Sequence, residues 1–469
     1  MTLAQRENGS FRDPSGSIWK HNGRIFRTVK GAACEGFKKT EASGLFEHTF
    51  KHGKLIDTRI IEDKSISNQI EDDFELLLEH SKIPLVNYPY EWSFEQLKDA
   101  ALFHLEILSE ALERNIMLSD ASAYNVQFIG PTPYFIDILS FRPYREGEVW
   151  DGYKQFCEQF FYPLLLQCEL GVAFNNWFKG TLEGISAHDL NQLMPLRKKL
   201  KPRIFSHLVL PALLQKNAEK PNIQKRADKN TRASLPKTHL KGIFASLTSA
   251  IQKLVPDGQK KSVWSDYEDN NSYSDGETTA KKTFIQGVMQ QVKPATVWDM
   301  GCNTGQFAQI CLEAGVADTV GFDFDLKTVG IAYRRAKAKS LKFTALHQDL
   351  ANPSPAHGWN GAERHNLKSR ANAEFTIALA LVHHIAIGRN VPLEYFAEWL
   401  VSLAPEGIVE FVPKDDPMVQ ELLKNREDIF PSYTLENFLL HLKKLATIEA
   451  VETITAEGRT LIHFSRRAN

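Results

Sequence analysis

From about residue 262 onward the chain alternates short apolar runs with amphipathic ones, and this pattern constrains its fold more than any other feature. "ATVWDMG" has the length and apolarity of a buried strand, and "QFAQICLEAG" is a helix closing on Gly315. "DTVGFDFD", "KFTALHQDL", "EFTIALALVHH" and "GIVEFVP" repeat the strand pattern, with "LKTVGIAYRRAKAKS" and "LEYFAEWLVSLA" as helices among them. "ATIEAVETIT" and "TLIHFSRR", joined by a turn at "AEGR", close the chain. Alternating strands and helices imply a parallel sheet covered on both faces, since a right-handed crossover returns the chain to the same strand direction. The last two strands add an antiparallel hairpin. The expectation is a Rossmann-like, seven-stranded, doubly wound α/β domain.

A chain of 469 residues holds more than this one unit. "GSIWKHNGRIFRTV" alternates apolar and polar residues around Asn22-Gly23, the signature of a hairpin. "SFEQLKDAALFHLEILSEALERN" places Leu97, Ala101, Leu105, Leu108 and Leu112 on one helical face, with Ser93 and Gln96 forming a capping box. A helical, aromatic stretch, "YKQFCEQFFYPLLLQCELGVAFNNWF", follows. Next comes a polar, basic tract, "QKNAEKPNIQKRADKNTRASLPKTH", read as a solvated linker; it lacks the interleaved aromatics of a nucleic-acid arm. The expected division is an α+β recognition domain over 1–215, a linker over 216–261 and the α/β domain over 262–469.

Net charge of −1 gives no global footprint for nucleic acid or an anionic membrane. Five scattered cysteines without a CxxC pair argue for a reducing compartment and against a disulfide framework or structural zinc. The N-terminus has no signal-like apolar core, and the longest apolar runs are too short to span a bilayer. The expected location is cytoplasmic.

The chemistry concentrates in "VWDMGCNTG". A strand ending at Asp299 and a helix starting after Gly305 point backbone N–H groups at a ligand. The rival dinucleotide fingerprint needs glycine where Asn303 and Gln306 stand, although Asn303 tolerates a left-handed backbone. Asp299 would repel a pyrophosphate and suits a ligand with an ammonium group, such as S-adenosylmethionine. Asp323, ending the second strand, stands where an acid accepts from two ribose hydroxyls. Asp349, beside Leu350 at the end of the third, can accept from an adenine amino group.

On these four ordered motifs, residues 263–469 resemble class I S-adenosylmethionine-dependent methyltransferases. The lead-in "WSDYEDNNSYSDGETTAKKTF" together with "VWDMGCNTGQFA" resembles the nodulation-protein NoeA-related subgroup, and the likeness extends upstream to "DASAYNVQF" and "FIDILSF". The resemblance implies S-adenosylmethionine as cofactor, held by Asp299, Gly301, Cys302, Asn303, Gly305, Asp323, Asp349 and Leu350. It also implies that Tyr273 and Lys281 cover it. Asn303 departs from the glycine of many relatives. Cys302 needs only to be small, since nothing nearby lowers a thiol pKa, and Asp325 is read as a solvated loop residue.

Methyl transfer is an in-line displacement that needs an aligned acceptor and an exit for its proton. His383 and His384, adjacent at the end of the fourth strand, are the candidate bases, and only one can face the cleft. Glu410, Lys414, Asp415 and Asp416 either orient an acceptor or serve the next helix start. Asp415 and Asp416 lack a third metal ligand, so no metal is expected. Arg426 and Asp428 suit an ion pair. The expected acceptor is a small molecule or glycan, with protein and RNA open. Oligomeric state is not fixed by the sequence.

The N-terminal half carries a second pattern. Asp120, Asn125 and Asp137 follow a helix at intervals that resemble the catalytic and metal-binding loops of kinases. The departures are Leu118 where kinases place His, Ile-Leu after Asp137 instead of Phe-Gly, and no glycine-rich loop. Lys54 is the candidate phosphate-binding lysine. A degenerate kinase-like scaffold fits best, beside a coincidental turn and a working phosphotransferase. Overall the chain reads as an S-adenosylmethionine-dependent methyltransferase, with a non-catalytic cofactor-binding regulator and a bifunctional kinase-like methyltransferase as alternatives.

Overall fold

The computed structural model describes residues 3–218, 234–256, 275–424 and 426–467. Among the described residues, nine strands fall in the N-terminal half: β1 (Gln5–Arg6), β2 (Ile18–His21), β3 (Arg24–Val29), β4 (Thr58–Ile60), β5 (Leu76–His80), β6 (Ile116–Leu118), β7 (Val126–Ile129), β8 (Thr132–Phe135) and β9 (Phe141–Pro143). The first five form an antiparallel sheet in the order β1-β2-β3-β5-β4, while β6 pairs with β9 and β7 with β8. The β2–β3 hairpin turns at Asn22 and Gly23, whose φ of 47° and 75° are the left-handed values that favour this residue pair.

Helix α1 (Phe94–Glu113) begins with the expected capping box: the Ser93 hydroxyl accepts from the Gln96 N–H while the Gln96 side chain accepts from the Ser93 N–H. Its apolar face is fully buried at Leu97, Ala101, Leu108 and Leu112. The aromatic stretch that follows contains a π-helical turn at Cys157–Phe161 and stops at the left-handed Gly171. Helix α2 (Asn175–Gly180) then packs on the Pro89–Glu91 turn.

The expected linker over 216–261 is corrected in part. Residues 237–252 form helix α3 (Lys237–Gln252), which buries Leu240, Phe244, Leu247 and Ile251 and packs beside α1. The apolar residues recur at helical spacing, so burial against α1 outweighs the polar character of the tract. At its other end, residue 216 lies inside the helix Leu210–Ala218. The stretches 219–233 and 257–261 of that expected linker lie outside the described residues.

The C-terminal half opens with α4 (Asp275–Val292) and contains β10 (Thr296–Met300), α5 (Gln306–Glu313), β11 (Asp318–Asp323), α6 (Leu326–Lys339), β12 (Phe343–His347), β13 (Phe375–Ala378), α7 (Val382–Ala386), α8 (Leu393–Leu403), β14 (Glu406–Phe411), α9 (Pro417–Leu423), α10 (Leu435–Leu445), β15 (Ala446–Thr453) and β16 (Thr460–Arg466). The seven strands lie in the order β12-β11-β10-β13-β14-β16-β15. The first five are parallel, and β16 inserts antiparallel between β14 and β15. Strand order reverses between β10 and β13, which opens a crevice at their C-terminal ends.

The two halves share one buried apolar cluster. It runs from Trp92 and Phe128 to Trp298, Phe322 and Tyr333, and the Phe128 and Tyr333 rings meet edge to face at 5.8 Å. Tyr333 donates to Asp99 at 2.6 Å, and the Gly130 N–H donates to Thr344 Oγ1 on the edge strand β12 at 2.8 Å. The N-terminal half thus covers a sheet edge that would otherwise present unpaired backbone groups. All five cysteines are buried, and none forms a disulfide with another described residue. Among the described residues no helix is long and apolar enough to cross a membrane.

Candidate active site

A cavity of about 330 Å³ occupies the crevice at the reversal point. Its walls come from the segments following β10, β11, β12 and β13, from Thr278 and Lys281 of α4, and from Arg389 and Leu422. Gly301, Cys302, Asn303, Asp323, Asp349, Leu350, Lys281 and His384 all line it. Asp299, Gly305 and His383 stand behind the wall. Tyr273 lies outside the described residues.

The turn after β10 is built from left-handed backbone. Gly301 and Gly305 have φ of 87° and 81°, and Asn303 adopts 48°. The Gly301 and Cys302 N–H groups both donate to the Phe322 carbonyl, tying the turn to β11. A Cβ on Gly305 would sit 2.3 Å from the Phe343 ring, so the close approach of turn and strand requires glycine as much as the φ does. Cys302 is buried, and burial raises its thiol pKa well above the ordinary value, with Asp299 and Asp323 pushing it further. A nucleophilic role has no support there.

Three acids follow from three consecutive parallel strands. Asp323 accepts from the Asn303 N–H at 2.9 Å and from the Asp325 N–H at 3.0 Å, which fixes its carboxylate at the cavity wall. Burial pushes its pKa up to about 6 against the pull of those N–H groups. Asp299 is pushed up to about 8, first by burial and then by the nearby Asp323, while the Ala308 N–H of α5 pulls the other way. Its Oδ2 is buried without a hydrogen-bond partner among the described residues, as is Oδ1 of Asn303. Asp349 accepts from the Ala351 N–H at 3.0 Å and faces Arg389 at 3.4 Å. Acceptor-rich, with Asp299 buried and its Oδ2 unpartnered among the described residues, this set fits a cationic ligand that bears hydroxyl and amino donors.

Strand β13 ends at Ala378, so the histidine pair rides on the short helix α7 and not on the strand end expected from the sequence. The pair divides as adjacent side chains must. His384 lines the cavity, whereas His383 is fully buried with both ring nitrogens unpartnered among the described residues. That removes His383 as a base. Burial, reinforced by Arg459, depresses His384 to about 4, so its imidazole is neutral at physiological pH.

Beneath the cavity lies a buried charge network that the sequence does not announce. Lys281 bonds Glu410 at 2.6 Å, and Glu410 also accepts from the Ala380 N–H at 3.0 Å. Arg459 bridges Glu410 at 3.5 Å and Asp416, which caps α9 through the Met418 N–H. Arg459 sits in the terminal turn, where a sequence reading expects solvent. Its partners are 43 and 49 residues away, so no local signal reveals it. Ala380, a cavity residue with φ of 49°, likewise carries no sequence signal for that backbone. Asp325, read as solvated, is buried and caps α6 by accepting from the Lys327 and Thr328 N–H groups. Arg426 and Asp428 do not pair with each other: Asp428 bonds Lys414 at 2.7 Å and Arg426 donates to the Ile387 carbonyl.

In the N-terminal half, Asp120 accepts from Asn125 at 3.0 Å and Asp137 from Arg27 at 3.1 Å. Arg27 also pairs with Asp13. A guanidinium thus stands where a metal would need the carboxylate, and no metal-holding group of His, Cys, Asp or Glu exists among the described residues. Lys54 pairs with Glu106 and Glu110 of α1 and is not engaged with Asp137.

No protein-family model matches the chain. Among solved structures it is similar to the methyltransferase domain of bacterial CtHen1-C, at 16% identity and a TM-score of 0.31, over 41% of this chain and 100% of that one. It is also similar to magnesium protoporphyrin IX methyltransferase from Synechocystis PCC 6803, solved with S-adenosylhomocysteine, at 18% identity and a TM-score of 0.30, over 49% and 100%. Likenesses of that strength add nothing to the account of the site. The sequence relationship is of another order: the nodulation protein NoeA of Rhizobium meliloti (strain 1021) is 40% identical over 461 residues, covering 98% of this chain and 96% of that protein. The chain belongs to the NoeA family.

Proposed function

We propose that this protein is an S-adenosylmethionine-dependent methyltransferase acting on a small molecule or glycan, with the N-terminal half, a degenerate kinase-like unit in this reading, recognising the acceptor. One observation carries it: a cavity at the strand-order reversal lined by Asp323 and Asp349 from neighbouring strand ends, with Asp299 behind its wall, beside a turn built on the left-handed Gly301 and Gly305. The cofactor supplies a methyl group on a sulfonium. Asp323, positioned by two backbone N–H groups, accepts from ribose hydroxyls, and Asp349 with Leu350 frames the adenine. Asp299, behind the turn, holds its proton up to about pH 8 when no cation is beside it; the positive charge of the methionine moiety favours its ionised form, which then offsets that charge.

His384 orients the acceptor. Its depressed pKa keeps the imidazole neutral at physiological pH and makes it a weak base, so it aligns a hydroxyl more than it stores a proton. Lys281, fixed by Glu410, supports the cavity wall from α4. The Arg27–Asp137 pair argues against phosphoryl transfer by the N-terminal half. Buried cysteines outside any disulfide suit a reducing compartment such as the cytoplasm.

The test is transfer of labelled methyl from S-adenosylmethionine into fractionated cell extract, with Asp323→Ala as the control. A labelled species that depends on Asp323 supports the proposal; no such species in any fraction defeats it.

A further inference from the structure

The helical run over residues 202–218 is apolar on both of its faces. It consists of Pro202–Ile204, a π-helical turn at Phe205–Val209 and the helix Leu210–Ala218. Its inner face buries Ile204, Leu208 and Ala212 in the shared core. Its outer face presents Phe205, Leu210, Leu213 and Leu214 at 49%, 44%, 48% and 61% exposure. A surface helix ordinarily turns charged and polar residues outward, so an apolar outer face points to a surface that covers it.

The four residues form one stripe. The Leu210 N–H donates to the Phe205 carbonyl, which sets Leu210 one π-helical turn beyond Phe205. Leu213 and Leu214 follow at i+3 and i+4 from Leu210, one α-helical turn further along. The turn Leu196–Lys199 packs against Pro202–Ile204 and extends the apolar surface. Leu196 at its start and Leu200 just after it are more exposed than any other large apolar residue described.

Cations are interleaved with these leucines. Arg197, Lys198, Lys199, Lys201 and Arg203 fall between Leu196 and Phe205, and residues 190–215 contain no Asp or Glu. Lys198, Lys201 and Arg203 converge on Glu169, with Lys201 at 2.7 Å and Arg203 at 2.9 Å. One carboxylate against three cations leaves that cluster positive. The side chains of Arg197 and Lys199 have no hydrogen bond or ion pair with another described residue. Asp189, the nearest acid before this stretch, is engaged by the Ser186 hydroxyl at 2.7 Å. The overall charge of −1 therefore conceals a local cationic patch.

The occupant follows from this pairing of apolar tips and cations. Leucine and phenylalanine projecting from a helix enter the acyl boundary of a bilayer, while long cationic side chains beside them keep their charges at the headgroups. Three of the five cations are lysines, compact charges that suit diffuse attraction to a layer of phosphates more than bidentate pairing with the fixed acids of a folded partner. We propose that this face docks the protein peripherally on an anionic lipid surface, with Phe205, Leu210, Leu213 and Leu214 entering the headgroup boundary and the cations at 197–203 facing lipid phosphates. Such docking requires no spanning helix. None of these residues lines the cofactor cavity, so the proposal does not depend on the methyltransferase assignment.

The test is co-sedimentation of the full chain with vesicles of phosphatidylcholine alone and of phosphatidylcholine containing about one-third phosphatidylglycerol. Binding to the anionic vesicles about tenfold or more tighter than to the neutral ones, and weakened by added salt, is expected. Leu213→Glu/Leu214→Glu should weaken it by about tenfold or more, through lost apolar burial and added repulsion. Arg197→Gln/Lys199→Gln should also weaken it by about tenfold or more. Lys38→Gln/Lys51→Gln, which removes the same charge from exposed positions elsewhere, should leave it within about twofold of wild type. Circular dichroism and the unfolding midpoint establish that each variant is folded. No binding to the anionic vesicles, equal binding to both compositions, or equal binding by wild type and the two patch variants overturns the proposal. So does a dimer, seen by light scattering without lipid, that Leu213→Glu/Leu214→Glu dissociates, since it assigns the face to a second copy of the chain.

Discussion

Replacing Arg370 with methionine removes the buried cation that joins the two halves. Arg370 and Glu91 are 4% and 0% exposed as side chains, and the guanidinium also donates to the Val86 carbonyl at 2.6 Å and stacks 4.6 Å over Tyr88. Methionine fills most of the volume but leaves the Glu91 carboxylate with only the Tyr88 N–H at 3.0 Å and Gln348 at 3.3 Å. Stranding one partner of a buried ion pair costs about 3–5 kcal/mol, and the lost cation–π contact adds ~1 kcal/mol. Arg370→Met should therefore lower the unfolding free energy by roughly 4–6 kcal/mol. Urea unfolding followed by tryptophan fluorescence measures this, because Trp92 of the N-terminal half and Trp298 of the C-terminal half are both buried in the shared core. The double variant Glu91→Leu/Arg370→Met removes both charges and should recover most of the loss. A single-variant cost under about 1 kcal/mol, or a double variant no more stable than the single one, would refute the reasoning.

Other expectations concern the site itself. Gly305→Ala forces a side chain into a left-handed backbone and against Phe343, so it should cost about 2–5 kcal/mol from strain and overpacking; a denaturation midpoint close to wild type would contradict it. Asp299 has a folded pKa of about 8, well above its unfolded value, so the folded state holds a proton that the unfolded state has released. Its contribution to stability is therefore present at low pH and lost as pH rises towards about 8, by at most ~1.4 kcal/mol per pH unit. Wild type should lose stability relative to Asp299→Asn as pH goes from 5 to 8, and a flat difference would sink the assignment. His384→Ala should lower kcat about 10²-fold with cofactor affinity retained, whereas an equal loss in affinity would move His384 into the cofactor site.

Much of the fold is legible because its signals are local. The Ser93–Gln96 box, the Asn22-Gly23 turn and the strand-turn-helix around Asp299 each need only a few neighbouring residues. The acids at 299, 323 and 349 are readable because strand ends in an alternating α/β chain face one crevice. What escaped depends on distant partners. Helix α3 is stabilised by its fit against α1, and its apolar spacing is masked by the polar tract before it. Arg459 owes its burial to Glu410 and Asp416, and Asp325 its role to the exact start of α6. The segment between β12 and β13 carries Arg370, which bonds a glutamate 279 residues earlier in the chain. No periodicity in either stretch announces that pair.

The central claim is that the acids at the strand ends hold S-adenosylmethionine. Calorimetric titration of the full chain with that cofactor, for wild type and Asp323→Ala, tests it most directly. Loss of two charge-assisted hydrogen bonds predicts saturable one-site binding in wild type and an affinity weaker by about 10²-fold or more in the variant, with unchanged circular dichroism. Equal affinity in the two proteins, or no binding in wild type, would contradict it.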